Sequence, residues 1–476
     1  MKKYIIPVIV AMGLFGSCEK YLEFPPEGDI PTEEFFQSAE DAQQAVNAMY
    51  GFMRTWNYSA FNYLILGSIP SDEIIKGSSA GDGSWANDYD NFLHTKTQLQ
   101  ILEFWTGRYQ AINLSNQVIT NVPDIEMPGA QKDRMLAEAK FLRALHYYYL
   151  VRAYGGVPLI KEVPAGPEGL VRTTAEETWA FIESDLRAAI PGLPETIPAS
   201  EFGRATRWAA KGLLAKVLMY REDWDGCKKV SDEIINQGPF DLYPDFYQLF
   251  RPEQEHCVES LFEISSSQYP GENLLSNSQF SETQAVRGQF GWGWFAPTDE
   301  LADAFDAAGD QVRKKVTIHY RGDVTEDGDT IAGIEVMEGV DIPRYNGKAY
   351  VPSRFGWVSG AYGSDQNVRI LRFADILLIN AEAACHTGGN VATPLNRVRA
   401  RAGLDPVSNP TLEDVWEERR LELAGEQDRY WDLLRTGRAA TVLAKYGFKT
   451  GKHELYPIPQ SEVDRSGEQL EQNPGW

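Results

Sequence analysis

The stretch AEAKFLRALHYYYLVRAYGGVPL, residues 137–159, indicates most clearly how this chain folds. Phe141, Leu145 and Tyr148 recur at intervals of four and three residues, which places them on one face of an α-helix. A glycine pair, Gly155-Gly156, follows the last aromatic residue, and glycine is the residue that most often ends a helix. The stretch therefore predicts a long helix that ends before this pair and buries one face.

Helical patterns dominate the rest of the chain as well. In the central helix, Lys140 and Arg143 fall on a different face from Phe141, so we expect them to point away from the core. Small residues at 209, 210, 212 and 215 would let a neighbouring helix approach closely. Helix pairs of this kind are typical of tetratricopeptide hairpins, so we predict a mostly α fold of degenerate hairpins. The predicted helices begin after Ser38 and cover residues 102–118, 137–154, 175–190, 206–220, 224–236, 372–386, 394–402, 412–424 and 429–434.

Residues 241–369 differ from the helical parts because they are rich in Gly, Pro, Ser and aromatic residues. Within them, we expect short strands at 260–264 and 315–320. The pattern predicts an irregular, loop-rich insertion between two helical blocks, residues 38–240 and 370–476, that pack together.

The chain begins with a charged and then apolar leader, residues 1–17. Two lysines precede twelve apolar residues, Tyr4–Phe15. A helix of that length reaches about 18 Å at ~1.5 Å per residue, well under the ~30 Å of a bilayer core. The leader is therefore interpreted as a secretory signal peptide and not as a membrane span.

Cys18 follows the small residues Gly16-Ser17, and this ending resembles the bacterial lipoprotein signal. In such proteins the leader is removed and the cysteine carries acyl chains, in which each buried methylene contributes about 0.8 kcal/mol. Residues 18–37 contain Pro25-Pro26 and predict an extended, lipidated tether. The alternative is an ordinary secretory signal with an incidental cysteine.

Composition narrows the possible partners and cofactors. The formal net charge of −23 argues against nucleic acid or anionic lipid as a partner. Cys227, Cys257 and Cys385 can form at most one disulfide, and none has the spacing of a zinc site. The acidic residues at 323–329 do not fit an EF-hand, so a solvated hairpin is favoured over a calcium site. We predict no cofactor.

Motifs in the carboxyl third carry a family resemblance. In order, they are RFADILL at 372–378, LNRVRARAGL at 395–404, ERRLELA at 418–424, RYWDL at 429–433, LYPIP at 455–459 and QNPGW at 472–476. The front half adds CEKYL at 18–22 and AKFLRAL at 139–145. Together these motifs closely resemble the SusD/RagB family of Bacteroidetes outer-membrane nutrient-uptake lipoproteins.

The resemblance implies a SusD-like scaffold of tetratricopeptide-like hairpins with an irregular ligand-binding face. Members of this family are lids on a SusC-like TonB-dependent outer-membrane transporter. They capture glycans, or sometimes peptides, and pass them to the pore. We therefore expect a non-catalytic, lipid-anchored protein at the outer membrane, facing the cell exterior.

The loop QFGWGWF, residues 289–295, is the first candidate for a ligand site. Glycines between large rings favour a loop, and the C–H faces of sugars pack well on indole rings. We predict that Trp292, Trp294 and Phe295 contact the ligand. The alternative is that one or more of these rings anchor the loop to the scaffold.

Residues 70–89 form the second candidate, because the resemblance implies that this region contributes aromatic and polar groups to the site. Asp72 and Glu73 are predicted to accept hydroxyl hydrogen bonds, since charge-assisted bonds are the stronger kind. Trp85, Asn87 and Tyr89 are predicted to complete the site. The alternative is that the two carboxylates cap local backbone and that Trp85 lies in the core.

The remaining motifs favour a binding protein over an enzyme. The charged run at 418–422 is interpreted as scaffold, because Glu and Arg three and four residues apart pair along a helix. No GxSxG, HExxH or phosphate-loop motif is present. The alternatives are a peptide-binding uptake lipoprotein, a scaffold that binds only proteins, or a secreted glycoside hydrolase with two paired carboxylates. The sequence does not specify which glycan is bound.

Overall fold

The structure is a computed structural model that describes residues 35–163, 171–268, 278–289, 291–333, 343–356 and 363–476. Cys18, the predicted signal peptide and the tether up to residue 34 lie outside the described residues, as does Phe290 of the aromatic loop. About 54% of these described residues are helical, which confirms the prediction of a mostly α fold.

The described residues contain nineteen α-helices, six short strands and several 3-10 turns. The helices are α1 Ala39–Met53, α2 Trp56–Ser59, α3 Phe61–Ser68, α4 Asn87–Asp90, α5 Leu99–Asn121, α6 Gly129–Tyr154, α7 Ala175–Ala189, α8 Arg207–Tyr220, α9 Trp224–Gln237, α10 Phe246–Leu249, α11 Phe280–Gln284, α12 Asp299–Ala307, α13 Gln311–Thr317, α14 Phe373–Thr387, α15 Ala392–Arg401, α16 Leu412–Glu422, α17 Arg429–Arg435, α18 Ala439–Val442 and α19 Gln460–Arg465. The strands are β1 Ile74–Gly77, β2 Ser260–Ile264, β3 Trp294–Pro297, β4 Ile318–Tyr320, β5 Arg344–Asn346 and β6 Val368–Arg372. The 3-10 turns are Ser84–Ala86, Val122–Asp124, Ala199–Glu201, Pro252–Gln254, Gly347–Ala349, Ser353–Phe355 and Ala444–Tyr446.

The central helix α6 is buried on every side over its last half, because α1, α5, α7 and α8 all pack against it. The prediction that Arg143 points away from the core is therefore wrong. Its guanidinium is buried and donates to both carboxylate oxygens of Asp185, at 2.7 and 2.8 Å. Because this pair neutralises the charge, the helix can be enclosed without an uncompensated buried cation. Gly155, with φ of 71°, ends the helix as predicted.

Successive helices pair with their chain neighbours from α5 to α9, and α14 then packs against α9 and α8. Lys216 on α8 joins these parts, since its ammonium lies 2.9 Å from the carboxylate of Asp375 on α14. One large core cluster extends from Ala42 to Leu470 and includes side chains from both helical blocks.

The strands form three two-stranded antiparallel sheets, β1–β3, β2–β6 and β4–β5. The pair β2–β6 joins the two ends of the irregular segment, with Ile264 opposite Val368. The predicted strand at 260–264 matches β2. The predicted strand at 315–320 is only partly right, because α13 continues to Thr317 and strand β4 begins at Ile318. Among the described residues, no helix is both long and apolar enough to cross a bilayer.

Candidate functional site

An open pocket of about 570 Å³ brings together aromatic side chains from separate parts of the chain. Its volume lies within the ~300–1,000 Å³ that is usual for small-molecule sites. The lining combines aromatic rings, two charged groups and two glycines: Trp56, Phe61, Trp292, Trp294, Asp82, Arg287, Gly288 and Gly291.

Trp56 and Trp292 form an accessible pair of rings in this aromatic lining. Both rings are half-buried, and their centroids lie 5.1 Å apart at an interplanar angle of 47°. Phe61 stacks against Trp56 at 4.8 Å and meets the edge of Trp294 at 5.1 Å. Such ring pairs contribute about 0.5–1.5 kcal/mol beyond their burial, so they stabilise this arrangement of the rings.

The β1–β3 ladder fixes the deep side of the pocket. Gly77 pairs with Trp294 and Ile75 pairs with Ala296. Residues 294–297 are therefore a strand, and the interpretation of the whole segment as a loop is wrong. Trp294 is 4% exposed and reaches the pocket from below, whereas Phe295 is completely buried. Phe295 is thus a core residue outside the pocket lining, and its φ of 59° departs locally from extended strand geometry.

Asp82 connects the 78–86 segment to residues 287–294 on the other side of the pocket. Its Oδ2 accepts hydrogen bonds from the hydroxyl of Ser78, from Arg287 Nη1 at 3.1 Å and from the indole Nε1 of Trp294 at 3.1 Å. Burial alone would raise the pKa of the Asp82 carboxyl, but these hydrogen bonds hold that pKa below its ordinary value. The group is therefore a carboxylate at neutral pH.

The second carboxylate oxygen of Asp82, Oδ1, is not used in these hydrogen bonds. The Asp82 side chain is 39% exposed, and among the described residues its Oδ1 accepts no hydrogen bond. The carboxylate therefore retains an accessible acceptor at the pocket wall. On the same wall, Arg287 Nη1 also donates to the carbonyl of Trp292 at 3.0 Å, which orients the outer indole.

Gly83 allows the 78–86 segment to lie directly on the Trp294 ring. A Cβ atom at Gly83 would come within 2.4 Å of the indole, and the backbone φ is 57°, which favours glycine. Lys76 supports the same segment, because its ammonium donates to the carbonyls of Ser79 and Asp82 at 2.8 Å and lies 4.9 Å from the Trp294 ring centroid.

Asp72 and Glu73 do not line the pocket, so their predicted role as hydroxyl acceptors is wrong. Asp72 is 4% exposed, and its carboxylate accepts hydrogen bonds from Arg429 at 2.7 and 2.9 Å and from Arg420 at 2.9 Å. Glu73 is 2% exposed, and burial raises the pKa of its carboxyl to about 7 although Arg429 and Arg420 oppose the shift. Both carboxylates are scaffold groups.

The remaining predicted residues, Trp85, Asn87 and Tyr89, differ in exposure and in their neighbours. Trp85 is half-buried, with its ring centroid 6.3 Å from that of Trp294, so it supports the platform from behind. Tyr89 is completely buried and stacks on His94 at 5.1 Å, which rules out ligand contact in this conformation. Asn87 begins helix α4, is half-buried and does not line the pocket.

Sequence reasoning missed Trp56, Phe61, Asp82 and Arg287. One usable signal was present, because residues 56–63 contain four aromatic residues within eight positions. Asp82 and Arg287 carried no comparable signal, since they lie 205 positions apart and meet only in the folded chain.

The charged run at 418–422 is buried scaffold, as predicted. Arg419 lies 2.7 Å from Asp432 and also contacts Asp375, and Glu422 accepts from Arg372 at 3.0 Å. In the described ranges, no group of three or more His, Cys, Asp or Glu residues is arranged to hold a metal ion. The described cysteines are all unpaired thiols.

The fold and the pocket together define a protein of helical hairpins with an aromatic-lined pocket. Residues 350–476 match the family model described as "SusD family", and residues 20–219 match the one described as "Starch-binding associating with outer membrane". The chain belongs to the SusD/RagB family.

Individual relatives agree with this assignment. A SusD-like protein of Bacteroides ovatus is 28% identical over 91% of this chain and 82% of its own length. A laminarin-binding SusD-like protein of known structure is 29% identical, with a TM-score of 0.81 over 92% of this chain and 100% of that chain. Surface glycan-binding protein A of Bacteroides thetaiotaomicron, solved in complex with laminarihexaose, is 25% identical with the same TM-score and coverage.

Proposed function

We propose that this protein is a non-catalytic, cell-surface glycan-binding protein that uses the Trp56–Trp292 pocket. The observation that carries the proposal is the pair of half-buried indoles 5.1 Å apart, with the Asp82 carboxylate beside them. Sugar rings present flat C–H faces that pack on indoles, and their hydroxyls need polar partners at the edge of the ring. Oδ1 of Asp82 supplies such a partner.

The relatives support a glycan ligand and suggest where to begin. Two proteins with at least 25% identity and a TM-score of 0.81 are described by laminarin or laminarihexaose binding. Laminarin-type oligosaccharides are therefore the first ligands to test, with starch-type oligosaccharides next because of the description of the amino-terminal family model.

The proposed biological role is capture of oligosaccharides and their delivery to a SusC-like TonB-dependent transporter. Cys18 would anchor the chain to the outer membrane with the pocket facing the cell exterior. The family resemblance and the outer-membrane description of the matching family model support this role. Co-purification of a transporter with the full-length lipoprotein from detergent-solubilised outer membranes tests the partnership, and recovery of the lipoprotein alone would contradict it.

Isothermal titration calorimetry tests the binding function directly. The wild type is titrated with laminarihexaose, maltohexaose and a casein peptide digest, and Trp292→Ala should weaken glycan affinity by about tenfold or more, or about 1.4 kcal/mol. Trp224→Ala is the matched control, because Trp224 is also half-buried and stacks on another ring, that of His386, in the scaffold. Absence of wild-type binding to any glycan would refute the proposal.

The pocket lining also bears on the alternatives. Among the described lining residues, Asp82 alone carries a carboxylate, whereas glycoside hydrolysis uses two. This supports binding without catalysis. Binding of the peptide digest in place of the glycans would favour a peptide-uptake protein, and release of reducing ends from laminarin or starch would identify a hydrolase.

A further inference from the structure

A second pocket, of about 340 Å³, lies between helix α5 and the carboxyl-terminal helix α19. None of its lining residues belongs to the Trp56–Trp292 pocket. Its size is at the small end of the ~300–1,000 Å³ range of ligand sites, so it suits a short ligand. Helix α5 contributes Trp105, Tyr109, Gln110 and Asn113, and α19 contributes Glu462 and Arg465.

The aromatic part of this pocket is held in place by the scaffold. The ring centroids of Trp105 and Tyr109 lie 5.0 Å apart at 48°. The Tyr109 hydroxyl donates to the carbonyl of Pro158 at 2.9 Å, which fixes the half-buried ring. Residues 105, 109 and 113 are four apart, so these side chains form one stripe along α5.

The polar part of the pocket has unused hydrogen-bonding capacity. Glu462 is only 8% exposed, and its Oε1 lies 3.1 Å from Arg465 Nη1 but accepts no hydrogen bond in the described part of the chain. An ionised carboxylate has several acceptor positions, so this group can still accept a hydrogen bond from a ligand hydroxyl. Gln110 and Asn113 each offer an amide that, within the described ranges, makes no side-chain hydrogen bond.

The charges in this pocket cancel, which favours a neutral ligand. Arg465 Nη1 lies 3.1 Å from Oε1 of Glu462, so the two charged groups among the described lining residues neutralise each other. Amides donate and accept hydrogen bonds at the same time, as sugar hydroxyls do. Aromatic rings, amides and a compensated carboxylate together match a hydroxyl-rich ring better than an ionic ligand.

We propose that the Trp105–Glu462 pocket is a second saccharide site that takes one or two sugar rings. This inference rests on the proposed glycan-binding function for the class of its ligand. Two sites on one chain would let a long polysaccharide engage both, and the first contact would raise the effective concentration of the polysaccharide at the second site.

Fluorine NMR of the full chain labelled with 5-fluorotryptophan separates the two sites. Trp105→Phe and Trp292→Phe assign the two reporter signals, and laminaribiose and laminarihexaose are the probes. We expect both signals to shift and saturate, and the Trp105 shift to persist in Trp292→Ala. Asn113→Ala should weaken the Trp105 response about tenfold and leave the Trp292 response unchanged. The matched control is Asn236→Ala, an exposed residue of helix α9.

Each outcome distinguishes the second site from the proposed function. If the Trp292 signal responds and the Trp105 signal stays fixed at millimolar saccharide, the second site is refuted and the glycan-binding function stands. If only Trp105 responds, the second site is supported and the Trp56–Trp292 pocket loses its assignment. If neither signal responds, both proposals fail. An equal effect of Asn113→Ala and Asn236→Ala on Trp105 would also refute the site.

Discussion

The indole Nε1 of Trp294 donates a 3.1 Å hydrogen bond to Oδ2 of Asp82, and this bond joins two segments that are 212 residues apart in sequence. Trp294 belongs to the strand beneath the pocket, and Asp82 belongs to the segment that borders it. The same carboxylate accepts a hydrogen bond from Arg287, which orients the outer indole of Trp292 through its carbonyl. Asp82 therefore positions the aromatic platform as well as offering its own acceptor.

Replacing Asp82 with asparagine should weaken glycan binding about tenfold, or about 1.4 kcal/mol. The side chain keeps its size but loses the charge that strengthens its bonds to Arg287 and Ser78. Calorimetry with the best oligosaccharide of the panel measures the effect. Asp303→Asn is the control, because Asp303 is exposed on helix α12. Equal affinities for the two variants would remove Asp82 from the site.

Gly83→Ala should lower both stability and affinity. The added Cβ would lie 2.4 Å from the Trp294 ring at a positive φ, so the indole or the segment must move. We expect a loss of about 1–3 kcal/mol in the free energy of unfolding. Urea denaturation and calorimetry measure the two effects. Gly51→Ala is the control, since helix α1 leaves its Cβ position free and alanine favours the helix.

Asp72→Ala should destabilise the fold by about 3–5 kcal/mol, because it leaves the buried guanidinium of Arg429 without its partner. Denaturant unfolding measures this loss, and Asp299→Ala is the comparison, because Asp299 pairs with Arg344 while 80% exposed. Loss of that exposed pair should lower the free energy of unfolding by less than ~1 kcal/mol. If folded Asp72→Ala lost glycan affinity without losing stability, the carboxylate would regain the ligand role that its burial argues against.

Glu73→Gln should change the pH dependence of stability in a defined direction. Burial raises the pKa of this carboxyl from 4.5 to about 7 in the folded chain. The folded state therefore binds the proton more tightly than the unfolded state. The stability from this group is complete below pH 4.5 and is lost as the pH rises through 7.

Glutamine stays neutral at every pH, so the variant lacks that loss. Between acidic and alkaline pH, the wild type should therefore lose about 3 kcal/mol more of its free energy of unfolding than Glu73→Gln does. Urea titrations at pH values below 4.5 and above 7 check this, and Glu126→Gln provides an exposed control. A difference from wild type that is the same at all pH values would contradict the shifted pKa.

Cys18→Ala should release the protein from the membrane fraction and leave glycan affinity unchanged. The acyl chains supply the anchor, whereas both pockets belong to the folded body. Fractionation of cells followed by immunoblotting measures the location, and calorimetry on the released protein measures affinity. A variant that remained in the membrane fraction would eliminate the lipid anchor.

Most of the helical scaffold was predictable from the sequence, because apolar periodicity and end signals are local. Helix α8, for example, covers Arg207–Tyr220 where 206–220 was predicted, and Gly155 ends α6 as its position suggested. The burial of Arg143 was not predictable in this way. It depends on Asp185, a residue from another helix that meets the guanidinium only after folding.

The candidate site was predictable in part. Trp292 and Trp294 do line the pocket, and Trp85 supports it, but Phe295, Asp72, Glu73 and Tyr89 are buried elsewhere. The sequence marks aromatic and acidic residues without stating their exposure. Exposure is decided by the β1–β3 register and by the arginines of α16 and α17, which withdraw Asp72 from solvent.

The sequence by itself determined the helical class, the family and the segments from which a binding surface is built, because these depend on residue types at short spacing. Only the tertiary structure decided that Trp56, Asp82, Arg287 and Trp292 share one pocket and that Trp105 and Glu462 share another. Each pocket joins residues that are distant in the chain. The two pockets follow from the way the core packs, and no local sequence pattern encodes them.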